Sequence, residues 1–223
     1  MSIICLKAGT KKCFGKGREK LMNKQNTTVM KLAETALLAA LCYVSFTFLQ
    51  IKIPVPGGDA TSLHIGNTFC VLGALLLGGW YGGLAGSIGM TIADLMDPVY
   101  ITGAPKTFVL KLCIGLITGL VAHKYAKINE STDKKYVFKW SLIASIAGLA
   151  FNVVADPIVG YFYKQYILGQ PQAIADALAK MSAVATFVNA IVSTILVVLI
   201  YNAVRPALIK SNLIEVHVAK NEI

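Results

Sequence analysis

From residue 32 onward the chain alternates long apolar runs with short polar breaks. Six runs stand out, at 32–51, 64–80, 82–97, 105–123, 138–163 and 177–204. Their lengths lie near those at which a helix, rising about 1.5 Å per residue, crosses about 30 Å of hydrocarbon. The second and third are parted only by the turn "GGWYGG", and the fourth opens on Pro105, which the first turn of a helix tolerates. The pattern predicts an all-α integral membrane protein with six transmembrane helices. It divides the chain into a basic N-terminal tail (1–31), a six-helix membrane domain (32–205) and a C-terminal tail (206–223).

Composition agrees with the pattern. Hydrophobic residues make up 56% of the chain and charged residues 14%, with a mean hydropathy of +0.64. A soluble domain carries about 25% charged residues. The net charge of +10 sits in the two tails and the loop 124–139, which argues against a nucleic-acid footprint and for a topology signal. With both termini inside, sixteen Lys and Arg fall on the inner side and four (Lys52, Lys106, Lys164, Lys180) on the outer. The positive-inside rule therefore predicts cytoplasmic termini. The first apolar run follows a long basic tail and is long enough to span, so a cleavable leader is not expected, and Met22 is an alternative start. The five cysteines are scattered without ligand spacing and read as small hydrophobes, so neither a metal nor a cofactor is expected.

The orientation sorts the polar residues by depth. His64 and Asn67 fall near the outer end of the second helix, Asp94 near that of the third, Lys106 and Lys111 on the fourth, Asn152 and Asp156 on the fifth, and Asn189 on the sixth. Nearly every amide or ionisable group within the spans thus lies in the outer halves, with Glu34 at the inner entrance of the first helix as the exception. This predicts a polar cup open to the outside above a dry floor. A carboxylate at membrane depth costs on the order of 3 kcal/mol, so Asp156 needs compensation, and Lys106 and Lys111 lie at a similar depth. The outer loop "KIPVPGGDATSL", around Asp59, is long enough to fold over the cup as a lid. Small residues recur four apart at Ala36/Ala40, Gly79/Gly83, Gly82/Gly86 and Gly115/Gly119, a spacing that lets helices approach closely in lipid.

Catalytic chemistry is missing. "GTKKCFGKG" has the wrong spacing for a phosphate-binding loop and lacks its Ser or Thr, and no nucleophile–base set or metal motif stands elsewhere, so the chain is not expected to be an enzyme. What remains is a protein that binds a small solute. A self-sufficient proton-coupled secondary transporter, with Asp94 or Asp156 as its proton site, is the alternative; the apolar inner halves and the absence of an evident inverted repeat count against it.

The segments "GGWYGGLAG" with the following "ADL", and "PKTFVLK", carry a resemblance. Over about residues 30–205 the chain resembles the substrate-binding (S) components of energy-coupling factor (ECF) vitamin transporters, in the riboflavin-type group. The resemblance implies high-affinity capture of a water-soluble vitamin or precursor outside a bacterial cell membrane. It also implies partners: a membrane-embedded coupling subunit and two cytosolic ATPase subunits, where ATP hydrolysis occurs. Ala36 and Ala40 in "ALLAA" match the small-residue motif that packs on the coupling subunit. The vitamin stays open among riboflavin, pyridoxine-type and hydroxymethylpyrimidine-type compounds.

Overall fold

The computed structural model describes residues 27–55 and 59–211. The basic tail expected over 1–31 therefore lies, up to residue 26, outside the described residues, as does the C-terminal tail beyond 211. By its contacts the chain divides into Met1–Glu34, whose described part is the first turns of a helix, and a large unit, Thr35–Ile223.

Six helices and one hairpin make up the described residues: α1 (Thr27–Phe48), β1 (Gln50–Val55), β2 (Asp59–His64), α2 (Gly66–Leu77), α3 (Gly79–Met96), α4 (Ala104–Gly119), α5 (Lys134–Phe162) and α6 (Gln172–Lys210). Wider π-type turns extend α4 through Leu120–Tyr125 and α5 through Tyr163–Ile167. So extended, α1, α4, α5 and α6 are long and apolar enough to cross a membrane, whereas α2 is a shorter apolar helix. The outward faces are apolar as well: Val154, Val184, Phe187, Ile195 and Leu199 are each more than half exposed. In water such a surface is a liability, and in lipid it is the expected one.

Two predicted features change. The outer loop is not irregular: β1 and β2 pair antiparallel, from Gln50 opposite His64 to Val55 opposite Asp59. His64 accordingly ends a strand and does not begin the second helix. The turn expected at "GGWYGG" shrinks to Gly78, whose φ of +99° only glycine adopts readily, and Trp80 and Tyr81 already belong to α3.

Glycine on two faces of α3 sets the packing. Gly79 and Gly83 meet Gly115 and Gly119 of α4 so closely that a Cβ on Gly115 would stand 2.2 Å from the Gly83 Cα. On another face a Cβ on Gly82 would lie 2.0 Å from the Ala74 nitrogen of α2, and one on Gly86 2.3 Å from the Cys70 Sγ. Three of the four small-residue pairs are thus spent inside the bundle. Ala36 and Ala40 are not: both are exposed on α1. Elsewhere local chemistry fixes the ends. Pro105 occupies the first turn of α4, and the Asp133 carboxylate caps α5 by accepting from the Lys135 N–H at 2.9 Å.

The floor is less dry than expected. Thr118, Ser141, Ser145 and Ser193 are fully buried, and Asn202 lies among them toward the far end. Several turn back on their own helix: Ser145 donates to the Ser141 carbonyl at 2.7 Å, Ser141 to that of Phe138 at 2.9 Å, and Asn202 to that of Val198 at 2.7 Å. A short side chain satisfied by its own backbone needs no water, so these positions read as polar in sequence yet pack as core. Arg205, also buried, donates to the carbonyls of Ile128 (2.9 Å) and Ser131 (3.1 Å) and so ties α6 to the α4–α5 connection.

Candidate functional site

The hairpin roofs an open cavity walled by the end of α3, the start of α4, the end of α5 and the start of α6. Six of the eight residues expected to bind substrate line it: His64, Asp94, Lys106, Lys111, Asp156 and Asn189. Asn67 and Asn152 do not. Each is 1% exposed and lies behind the lining, and the Oδ1 of each has no hydrogen-bond partner among the described residues.

Chain geometry explains the cluster. Residues 97–103 join α3 to α4 tightly, which sets the last turn of α3 beside the first of α4. The Thr107 hydroxyl of α4 lies near the Asp94 carboxylate there. Thr107 and Lys111, four apart, share one helical face and both line the cavity. From α5, Asp156 accepts from the Lys106 ammonium at 3.0 Å, and the Ser182 hydroxyl of α6 donates to its other oxygen. Pro157, next in the chain, supplies no N–H to the carbonyl one turn back. The compensation expected for Asp156 is therefore direct from Lys106 alone. Among the described residues no carboxylate stands within 4.0 Å of the Lys111 ammonium, though Asp156 and Asp94 are both among its electrostatic neighbours.

The roof is fastened at three places. Lys164, on the π-type turn after α5, grips both oxygens of Asp59 at 2.7 Å, and the Gln170 amide donates to the same carboxylate at 2.9 Å. Lys52 of β1 bonds Asp97 at the end of α3. Asn189 of α6 holds β2 with both ends of its amide: Oδ1 accepts from the His64 N–H and Nδ2 donates to the Ser62 carbonyl, each at 3.0 Å. Asn189 thus lines the cavity while its amide is engaged with strand backbone. The expected effect of Asn189→Ala is a loss of about 2 kcal/mol for two buried bonds, concentrated at one end of the roof. Hydrogen exchange should show protection lost across 59–64 while α3 and α4 keep theirs; uniform loss would mean that the bundle had loosened instead.

The Asp97 carboxyl is tuned by its place at the rim. Burial would raise its pKa, but the Lys52 ammonium and the Val99 N–H, which donates to it at 3.1 Å, hold it below the usual carboxylate range. Its contribution to stability is present above the ordinary carboxylate pKa and is lost as pH falls through the lowered one.

The remaining wall is aromatic. Phe46 stands edge-on to His64 with ring centres 4.7 Å apart, and tilted to Tyr100 at 5.8 Å. The Gly66 N–H donates to Nδ1 of His64 at 3.2 Å, so the neutral imidazole carries its proton on Nε2. Asp59 of the expected lid, and Lys164, Tyr100 and Phe46, which were outside the expected substrate-binding set, line the cavity as well. Chemically the site offers aromatic faces, the Asp94 carboxylate and the Lys111 ammonium, neither of them in an ion pair within 4.0 Å among the described residues. That set suits binding of a ring with hydrogen-bonding groups.

Comparisons with known proteins follow the same line. The family described as "ECF-type riboflavin transporter, S component" matches residues 26–206. A solved structure of ThiT from Listeria monocytogenes superposes with a TM-score of 0.61 at 18% identity, covering 80% of this chain and 97% of that one. At that identity the likeness speaks for the fold. A search of curated protein sequences gave no match. With most of its length matched by the family's own pattern, and a fold shared with ThiT, the chain belongs to the ECF-type riboflavin transporter S component family.

Proposed function

We propose that the chain captures a small planar vitamin outside the cell and delivers it to an ATP-driven ECF module as the substrate-specific subunit. Riboflavin is the first candidate on family grounds, ahead of pyridoxine-type and hydroxymethylpyrimidine-type compounds. The observation that carries this reading is the cavity itself, where an aromatic wall from Phe46 and Tyr100 faces the Asp94 and Lys111 side chains under a fastened roof.

The topology follows from charge. The cavity stands at the start of α4, and the lysine-rich stretch Lys124–Lys139 at its far end. The positive-inside rule then turns the cavity outward and the termini to the cytoplasm of a bacterial cell, with all six helices in the membrane. α2, at 12 residues, rises only about 18 Å, less than the full hydrocarbon thickness. Partners follow from the same reading: exposed Ala36 and Ala40 offer α1 a smooth stripe for a coupling-subunit helix, and two cytosolic ATPases supply the energy.

The test is ligand identification. Protein purified in mild detergent from rich medium is denatured, and the released small molecules are identified by mass spectrometry. One equivalent of a vitamin from the panel is expected. No release, together with no thermal shift for any panel member, would defeat the reading. In the same preparation Ala36→Leu with Ala40→Leu is expected to retain the vitamin but to lose co-purification with the ECF module.

A further inference from the structure

The outer surface of the bundle carries a groove between α5 and α6. It runs between Ile146, Ala150 and Val154 of α5 and Phe187, Ile191 and Ile195 of α6, and of the side chains that line it Thr194 alone is polar. Each helix contributes an alanine, Ala150 and Ala190, whose methyl groups leave space between the bulkier turns on either side. The lining shares no residue with that of the cavity under the hairpin.

Followed back along α5, the same stripe leads to charge. Residues 150, 146, 143, 139 and 135 succeed one another at three- and four-residue steps, which keeps them on one face of the helix. Exposed Ile143 thus prolongs the groove wall, and Lys139 and Lys135 stand at its inner mouth. Both lysines are exposed, and neither is in an ion pair within 4.0 Å among the described residues. The two carboxylates of the stretch 124–139 are engaged elsewhere: Glu130 lies 3.4 Å from Lys127, and Asp133 caps α5 by accepting from the Lys135 N–H. Tyr136 and Trp140, with ring centres 6.1 Å apart, mark the same height as an aromatic belt does at a membrane interface.

Length and charge together name the occupant. From Lys139 to Val154 the helix rises about 22 Å. A bilayer with its headgroups is about 40–45 Å thick, so one leaflet takes about half of that. A lipid anchored by its headgroup at Lys139 therefore ends its acyl chain near Val154, where the groove ends on α5. The lysines call for a negative group and the groove for a flexible apolar one, and an anionic phospholipid carries both on one molecule.

We propose that the α5–α6 groove binds one anionic phospholipid of the inner leaflet, with the headgroup phosphate on Lys135 and Lys139 and an acyl chain beside Ala150. The site uses the membrane orientation argued above and does not depend on what the cavity under the hairpin binds.

The test is native mass spectrometry of the full chain, delipidated in mild detergent and titrated with phosphatidylglycerol or with phosphatidylcholine of the same acyl chains. Wild type is expected to hold one phosphatidylglycerol at least about tenfold more tightly than phosphatidylcholine, since each lysine beside an anionic headgroup adds to the attraction. Lys135→Ala with Lys139→Ala is expected to bring the two lipids to the same affinity. Ala150→Trp, at an exposed position, is expected to weaken both by about tenfold because the indole fills the groove. Lys124→Ala with Lys127→Ala removes as much charge from the same connection but off the stripe, and should keep the wild-type preference. Equal affinity of wild type for the two lipids would overturn the proposal. So would an equal loss in the two double-lysine variants, which would show a diffuse attraction of the basic connection. Dimers in place of bound lipid, abolished by Ala150→Trp, would overturn it in favour of a second copy in the groove. Should Ala150→Trp fail to fold, the two double-lysine variants still decide.

Discussion

Asp156→Ala is expected to destabilise the protein by about 3 kcal/mol and to abolish ligand retention. The substitution leaves the Lys106 ammonium without its carboxylate and the Ser182 hydroxyl without its acceptor. Removing one partner of a buried pair costs about 3–5 kcal/mol, most of it the penalty of the charge left behind. The low end applies because the Lys106 and Asp156 side chains keep 18% and 14% exposure. The same logic makes Lys106→Met damaging alone, whereas Lys106→Met with Asp156→Leu should recover most of the stability, since both charges leave together. Unfolding midpoints of the four proteins in one detergent would measure this as a double-mutant cycle. Additive losses in the double variant would show that the pair does not act as a unit, and the compensation argument for a carboxylate at this depth would fail.

The second large effect concerns the seam between α3 and α4. A Cβ on Gly115 would stand 2.2 Å from the Gly83 Cα and 2.3 Å from its nitrogen, far inside van der Waals contact. Overpacking a core costs about 1–3 kcal/mol when side chains can yield. Here the obstacle is backbone on the partner helix, so Gly115→Val must push the two helices apart along the contacts at Gly79, Gly83 and Gly119. The expected outcome is loss of folded protein, read as the monodisperse fraction after detergent extraction. Gly103→Ala is the matched control: nothing lies within 4 Å of its Cβ, and the change should stay within about 0.5 kcal/mol. Folded Gly115→Val with unchanged stability would mean that the α3–α4 contact is looser than these distances require.

What could be read in advance, and what could not, follows from how each feature is encoded. Helices α5 and α6 were legible because a long apolar run needs only length to be recognised, and their ends lie within about six residues of the expected ones. The hairpin was hidden by its own composition. Ile51, Ile53 and Val55 alternate with Gln50, Lys52 and Pro54, a strand period, but prolines and glycines around Asp59 outweigh six residues of alternation. Gathering Asp94, Lys106, Lys111 and Asp156 was legible from depth, since membrane orientation places polar residues by height alone. Their pairing was not, because height leaves rotation around each helix free. Lys164 and Asp59, 105 residues apart, carry no local mark of each other, and a lysine at a helix end reads as one that reaches for water. Asn67 and Asn152 show the same limit from the other side: both are buried, and neither is among the residues that line the cavity.

The three fastenings of the roof belong to three different parts of the bundle: Asp97 at the end of α3, Lys164 and Gln170 in the α5–α6 connection, and Asn189 within α6. None is strong by itself, and a roof tied to one support could swing while the rest stood still. Tied to three, it can rise only when these supports move together or all the ties release at once. The dwell time of whatever occupies the cavity is therefore set as much by the coincidence of these releases as by the occupant's own contacts. A change to any one tie should shorten the stay.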